Sequence, residues 1–181
     1  MSRRLAWLLV VGGGLGFVAA MALTLEKIAT LRDPAYLPTC SLNPVVSCGS
    51  VMSSPQAELF GFPNPLLGIA AFAVVITTGV AVLAGFRAPR WYRVAFNAGA
   101  AAGVVFVHWL IVASLYDIGA LCPYCMVVWI VTIPVFWYST LDAWPGLAPL
   151  RQVHGAVLAL WFAVLVILVL IRFWDYWSNL L

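Results

Sequence analysis

The sequence predicts an all-α integral membrane protein with five transmembrane helices. Of its 181 residues, 65% are hydrophobic and 8% are charged, whereas an ordinary soluble domain has about 25% charged residues. The mean hydropathy of +1.06 leaves too little polar surface to cover a water-soluble protein. Five apolar segments each have close to the roughly 20 residues that a helix needs to cross a bilayer. We expect helices at about residues 5–25, 65–86, 94–116, 121–141 and 153–173, within one transmembrane domain over 1–181.

Residues that interrupt helices lie at the boundaries of these segments. They are Pro63, Pro65, Pro89, Gly119, Pro145 and Pro149. The first segment carries glycines at 12–14 and 16, which either allow close helix packing or are simply tolerated in lipid. Arg3, Arg4 and the small residues Ala20-Met21-Ala22 give this segment a second interpretation as a secretory signal. Its apolar run is longer than such signals usually have, so we expect a retained helix.

The distribution of positive charge predicts the orientation in the membrane. With the N-terminus in the cytoplasm, six of the nine basic residues lie on the cytoplasmic side, namely Arg3, Arg4, Arg87, Arg90, Arg93 and Arg151. The opposite side then carries five of the six acidic residues and the only sizeable polar loop, residues 26–64. The arginines of the short cytoplasmic loops explain the net charge of +3, so the charge gives no reason to expect a nucleic-acid partner.

The four cysteines form two pairs, and this orientation places both on the external side. Cys40 and Cys48 lie in the polar loop, with seven residues between them. Cys122 and Cys125 form a C-x-x-C motif at the start of the fourth helix, which we expect Asp117 to cap. In such a motif one thiol has a lowered pKa, and a helix N-terminus stabilises the leading thiolate further. The sequence does not decide which disulfide the resting protein contains, because Cys40–Cys48, Cys122–Cys125 and Cys48–Cys122 are all compatible with it.

Two structural interpretations compete with a redox role. A Cys40–Cys48 disulfide would be a staple of the external loop, with Asn43-Pro44 as the turn that brings its ends together. Four cysteines can also bind zinc, but 73 residues separate Cys48 from Cys122. A staple does not explain a second, vicinal pair on the same side of the membrane.

Thiol–disulfide exchange between the pairs explains both of them. It requires a flexible loop that swings the first pair over the helix end carrying the second. One pair can then meet a soluble partner, while the other meets an acceptor in the bilayer. Electrons that reach Cys125 need a lipid-soluble acceptor, and a quinone is a two-electron carrier of this kind.

An ordered set of residues accompanies the cysteines. It consists of Cys40, Cys48, Ser53-Ser54, Asn64, Tyr116-Asp117 and Cys122-Pro123-Tyr124-Cys125. In this order the residues resemble the vitamin K epoxide reductase family, in its bacterial form, over about residues 39–141. The resemblance implies a four-helix bundle around a quinone pocket, with a fifth, peripheral helix. Some bacterial members continue into a thioredoxin-like domain, whereas this sequence ends at Leu181, so we expect a separate thioredoxin-fold partner.

The resemblance also implies a role for each cysteine. Cys40 exchanges with the reduced partner, and Cys48 then exchanges with Cys122. Cys125 passes the electrons to the quinone. All four are therefore expected to be catalytic, and no metal is expected.

The resemblance also assigns a role to two polar residues. Ser54 and Asn64 correspond to polar positions beside the quinone head, where a carbonyl needs hydrogen-bond donors. Without the resemblance, Ser54 would be a helix cap and Asn64 a turn residue.

Human-type enzymes carry Thr-Tyr-Ala just after the C-x-x-C motif, where this chain has Val128-Trp129-Ile130. The departure argues against epoxide reduction and human-like anticoagulant binding, and it leaves quinone reduction intact.

The expected function is that of a thiol–quinone oxidoreductase in the bacterial inner membrane. It would reoxidise a periplasmic, DsbA-like thioredoxin-fold protein and reduce menaquinone or ubiquinone from the membrane pool. A DsbB-type oxidase fits less well, because its C-x-x-C motif precedes the second cysteine pair. A small transporter or an assembly factor with purely structural disulfides is the alternative from another class. Few buried charges and no broken-helix ion site argue against transport.

Overall fold

The computed structural model describes residues 1–33 and 35–179. Within them the chain is helical, and the only strand-like pairing is one isolated backbone bridge. Five helices are long and apolar enough to cross a membrane, which confirms the predicted fold class. In chain order the α-helices are α1 (Arg3–Arg32), α2 (Cys48–Met52), α3 (Pro65–Leu83), α4 (Arg90–Val112), α5 (Pro123–Ala143), α6 (His154–Arg172) and α7 (Trp174–Ser178).

The ends of the spanning helices follow from local sequence. Ser2 caps α1, its hydroxyl oxygen accepting the Leu5 N–H, and α1 extends past the predicted end near residue 25 as far as Arg32. The added residues, 26–32, mix polar and apolar side chains and lie beyond the apolar run that predicted the helix. Proline opens α3 and α5, where its fixed φ and missing N–H suit the first helical position. After α4 the chain makes a π-helical turn, Ala113–Ile118, which Gly119 ends with a φ of 68°.

The polar loop that carries Cys40 and Cys48 is partly helical. It contains α2 and a 3-10 turn, Pro55–Glu58. Ser47 caps α2, its hydroxyl oxygen accepting the Ser50 N–H at 3.3 Å. These two short elements lie across the end of the bundle, because Val51 and Ala57 line the cavity that the long helices enclose.

Four of the five long helices form the bundle, with α1 packed on α3 and α5, and α4 packed on α5. The fifth, α6, is peripheral, and none of its described residues is buried. Two of the polar contacts that attach α6 to the bundle involve Trp161 and Arg172. The Trp161 indole N–H donates to Nε2 of His108 at 2.9 Å, and Nε of Arg172 donates to the Leu115 carbonyl at 2.6 Å.

Glycines let α1 approach α3 closely. A Cβ atom on Gly13 would lie 2.9 Å from Cγ1 of Ile76, and a Cβ atom on Gly16 would overlap the ring of Phe72. No described atom outside the helix backbone lies within 4 Å of a Cβ atom on Gly14. Close packing therefore explains Gly13 and Gly16, whereas Gly14 is tolerated where the helix has no neighbour.

We expect Gly16→Ala to lower the free energy of unfolding by about 1–3 kcal/mol, because the added methyl group overpacks the contact with the buried Phe72 ring. Gly14→Ala, two residues away in the same helix, is the matched control. It is expected to be neutral or to stabilise by up to about 1 kcal/mol through helix propensity. Unfolding of both variants in detergent, followed by tryptophan fluorescence, measures the difference. Equal stabilities would contradict the α1–α3 contact.

Candidate redox site

A backbone bridge holds the polar loop that carries Cys40 and Cys48 against the start of α5. Val46 pairs with Leu121 in parallel, and the Leu121 N–H donates to the Val45 carbonyl at 2.7 Å. Cys48 lies two residues after Val46, and Cys122 directly follows Leu121. The bridge therefore places Cys48 beside Cys122. The loop predicted to swing is thus held at the helix end by main-chain hydrogen bonds.

The four sulfur atoms are brought together at this point. Cys40 and Cys48 form a disulfide, whereas Cys122 and Cys125 are free thiols. The Sγ atoms of Cys48 and Cys122 lie 3.2 Å apart, and both side chains are fully buried. A disulfide sulfur carries no proton, so the Cys122 thiol is the donor in this contact. In this position Cys122 can attack the Cys48 sulfur and release Cys40 as a thiolate.

The predicted turn between the loop cysteines is present. Oδ1 of Asn43 accepts the N–H groups of Val45 and Val46 at 3.0 and 2.7 Å. The Leu42 N–H also donates to the Val46 carbonyl at 2.9 Å. An asparagine side chain that bonds its own following backbone in this way closes a tight turn. The turn leads the chain directly into the bridge beside Cys122.

A buried carboxylate fixes the other arm of the loop. Glu26, near the end of α1, accepts hydrogen bonds from the hydroxyl groups of Thr39 and Tyr36. The hydrogen bond to Glu26 raises the pKa of the Tyr36 hydroxyl above its ordinary value. Because Thr39 immediately precedes Cys40, these contacts set the position of the outer cysteine.

Hydrogen bonds at the start of α5 lower the pKa of the Cys122 thiol. Cys122 is the N-cap residue of α5. A hydrogen bond from the Cys125 thiol, with further bonds from the N–H groups of Cys125 and Tyr124, holds the pKa of Cys122 below its ordinary value, although burial acts to raise it. No side chain caps this helix, so the expected role of Asp117 as its cap is wrong. Asp117 instead belongs to the preceding π-helical turn, which ends before the cap position.

Cys125 lines a cavity of about 800 Å³ that α1, α3, α4 and α5 enclose. The cavity extends from Cys125 at the start of α5 to Phe96 near the start of α4, so it runs along most of the bundle. Its described lining is almost entirely apolar and does not include the sulfur of Cys48 or Cys122. A long, apolar cavity with few polar groups fits a quinone, whose planar head needs few donors and whose tail needs none.

The structure places the two predicted polar site residues differently. Asn64 is 8% exposed and lines the cavity. Its amide nitrogen donates to the Gln56 carbonyl at 2.7 Å and its amide oxygen accepts the Leu59 N–H at 3.2 Å, which leaves one N–H of the amide for a ligand. Ser54 is not among the described lining residues, and its hydroxyl donates to the Val51 carbonyl at 2.7 Å.

Lys27 lines the cavity, which the sequence did not lead us to predict. The distribution of charge predicts only that it is one of three basic residues on the external side. In the structure it is the only charged residue among those described as lining the cavity, and its side chain is 14% exposed. Its position near the end of a spanning helix could be read from the sequence. Its burial could not, because it depends on how the loop folds over the bundle.

Comparison with known proteins agrees with this geometry. The sequence model of the Vitamin K epoxide reductase family matches residues 7–140, which is more than half of the chain. A search of curated proteins gave no match. With five membrane-crossing helices and two adjacent cysteine pairs, the chain belongs to the vitamin K epoxide reductase family.

Proposed function

We propose that this protein reoxidises a separate thioredoxin-fold, DsbA-like protein and delivers the electrons to the membrane quinone pool. Membership of the family supports membrane thiol–disulfide oxidoreductase activity, the use of quinones and cooperation with a thioredoxin-like partner in general. The observation that carries the specific route is the placement of the sulfurs. Cys48 and Cys122 are in contact, while Cys125 faces the cavity.

The first half of the reaction is an exchange of disulfides. A partner thiolate attacks Cys40, which is the more accessible residue of the disulfide, 7% exposed where Cys48 is fully buried. The second partner thiol then closes the partner's disulfide and leaves Cys40 and Cys48 reduced. Cys48 attacks Cys122 when the inner pair is oxidised, and Cys40 closes the outer disulfide again. Two electrons have then moved from the partner to Cys122 and Cys125.

The second half of the reaction takes place at the cavity. The reduced inner pair and a quinone become a Cys122–Cys125 disulfide and a quinol, so two electrons and two protons leave the thiols and enter the quinone. Cys122 is the sulfur that closes on Cys125, because its thiolate is stabilised at the helix start. Asn64, and Ser54 after a local movement, are proposed to hold the head of the quinone.

The orientation and location are part of the same proposal. The protein would lie in the bacterial inner membrane with its N-terminus in the cytoplasm and its cysteines on the external side. Support comes from the arrangement of α1, which begins beside Arg3 and Arg4 and ends beside the cysteine loop. The quinone would be menaquinone or ubiquinone. Trp129 lines the cavity where human-type enzymes have a tyrosine, so we propose quinone rather than epoxide reduction.

The test is a reconstitution of the whole reaction. Purified protein in nanodiscs is mixed with a reduced thioredoxin-fold protein and a short-chain quinone. We expect one quinol for each disulfide that appears in the partner, measured by quinol absorbance and by thiol titration. A protein with purely structural disulfides would produce neither, and that result would overturn the proposal.

A further inference from the structure

A single lysine carries a positive charge into the cavity. Lys27 is the only lysine in the sequence, and it lies in α1 near the external end of the bundle. Its side chain is 14% exposed, among cavity walls that are otherwise uncharged in the described chain. A buried charge is costly unless it is paired and hydrogen-bonded, so the contacts of this ammonium group decide what it can do.

The ammonium group has one donor to spare. It donates to the Met52 carbonyl at 2.8 Å, and it pairs with Oε1 of Glu58 at 2.9 Å. A lysine ammonium has three N–H donors. No third acceptor is found among the described residues, although the side chain lines the cavity. The remaining N–H is therefore available to an oxygen atom of a molecule in the cavity.

The ammonium also lies at the cysteine end of the cavity. Met52, whose carbonyl it contacts, packs in one apolar cluster with Cys48 and Cys122, and Cys125 borders the same cluster. The head of a quinone that accepts electrons from Cys125 must lie at this end. Lys27 and Cys125 thus border the same part of the cavity from different helices.

We propose that Lys27 binds the quinone head, donating its free N–H to a carbonyl oxygen. This inference rests on the proposed function. As two electrons arrive from the inner cysteine pair, negative charge develops on that oxygen, and the ammonium stabilises it. In apolar surroundings one fixed charge acts far more strongly than in water. Lys27 supplies no net proton, because the two thiol protons of the reduced pair equal the two that the quinol gains.

Three variants separate this role from a merely structural one. Lys27→Met keeps the length of the side chain and removes the charge. We expect it to raise the quinone KM or lower kcat by about 10- to 100-fold, the effect of losing a hydrogen bond to a charged group. Lys27→Arg, which keeps a cationic donor, is expected to recover part of the loss.

The third variant, Glu58→Gln, is the control for the attachment of the loop to α1. It removes the ion pair between loop and helix but keeps the ammonium. Because Glu58 is 43% exposed, we expect an effect below about fivefold. If Glu58→Gln impairs quinone reduction as much as Lys27→Met does, the loop contact rather than the cation is responsible, and the proposal is overturned.

A binding measurement that does not depend on turnover completes the test. Lys27 is the only lysine, so an amine-acylating reagent labels it alone apart from the chain terminus, and mass spectrometry follows the labelling. We expect a short-chain quinone analogue to slow the acylation of Lys27 in the wild-type protein. If the wild-type protein reduces quinone while acylation is unprotected and Lys27→Met is fully active, the role of Lys27 is refuted. If the wild-type protein reduces no quinone, the proposed function fails and this inference fails with it.

Discussion

Cys125→Ala is expected to reduce the rate of quinone reduction by roughly 10³-fold or more, the scale seen when a covalently acting residue is removed. Cys125 is the only cysteine among the described residues that line the cavity. Without it the inner pair cannot form a disulfide, and no other route delivers two electrons to a quinone. Quinol formation driven by a protein dithiol measures the loss.

The outer disulfide should remain reactive in the same variant. Cys40 and Cys48 are bonded to one another without any contribution from Cys125. A reduced thioredoxin-fold protein should therefore still open that disulfide once, as a single turnover seen by alkylation of the new thiols. Unchanged quinone reduction by Cys125→Ala would contradict the assigned route, whereas loss of the single turnover would indicate damage to the fold.

Cys125→Ser provides a matched control for the chemistry of Cys122. The hydrogen bond from Cys125 is the largest cause of the lowered Cys122 pKa, and burial opposes it. A serine hydroxyl can still donate, whereas alanine cannot, so the pKa should stay low in the serine variant and rise in the alanine variant. A lowered pKa keeps Cys122 as a reactive thiolate down to a lower pH. As the pH falls, the rate at which Cys122 attacks Cys48 should therefore begin to decline at a lower pH in Cys125→Ser than in Cys125→Ala. Disulfide mapping over a range of pH measures this difference.

Features that depend on local pattern could be predicted from the sequence. The spanning helices follow from apolar length, and the turn at Asn43 follows from the residue types that favour turns. The C-x-x-C motif at a helix start likewise predicts an activated leading thiol, and the lowered pKa of Cys122 agrees. The C-terminal end of α1 was less predictable, since residues 26–32 mix polar and apolar side chains and lie beyond the apolar run that predicted the helix.

Features that depend on distant pairing could not be predicted. Val46 and Leu121 are far apart in the chain, and neither residue has a local signal for the bridge that joins them. The burial of Lys27 is of the same kind, because Met52 and Glu58 reach it only after the loop has folded over the bundle. The sequence therefore identified the four cysteines as candidates for a redox role, while the contact between Cys48 and Cys122 depends on tertiary structure.

The order of the outer cysteines can be tested by comparing Cys48→Ala with Cys40→Ala. Either change should lower dithiol-driven quinone reduction by roughly 10³-fold or more, because one cysteine alone cannot form the outer disulfide. The disulfides that remain should nevertheless differ. In Cys40→Ala the free Cys48 thiol lies in contact with Cys122, so a quinone-oxidised sample should contain a Cys48–Cys122 disulfide.

In Cys48→Ala the sulfur that contacts Cys122 is gone, and the backbone bridge at Val46 prevents Cys40 from taking its place. Peptide mapping without reduction should then find a Cys122–Cys125 disulfide and a free Cys40 thiol. A Cys40–Cys122 disulfide in this variant would mean that the loop moves far enough for either outer cysteine to reach the inner pair. The bridge would then not determine the order of transfer, and Cys40 would not be reserved for the partner.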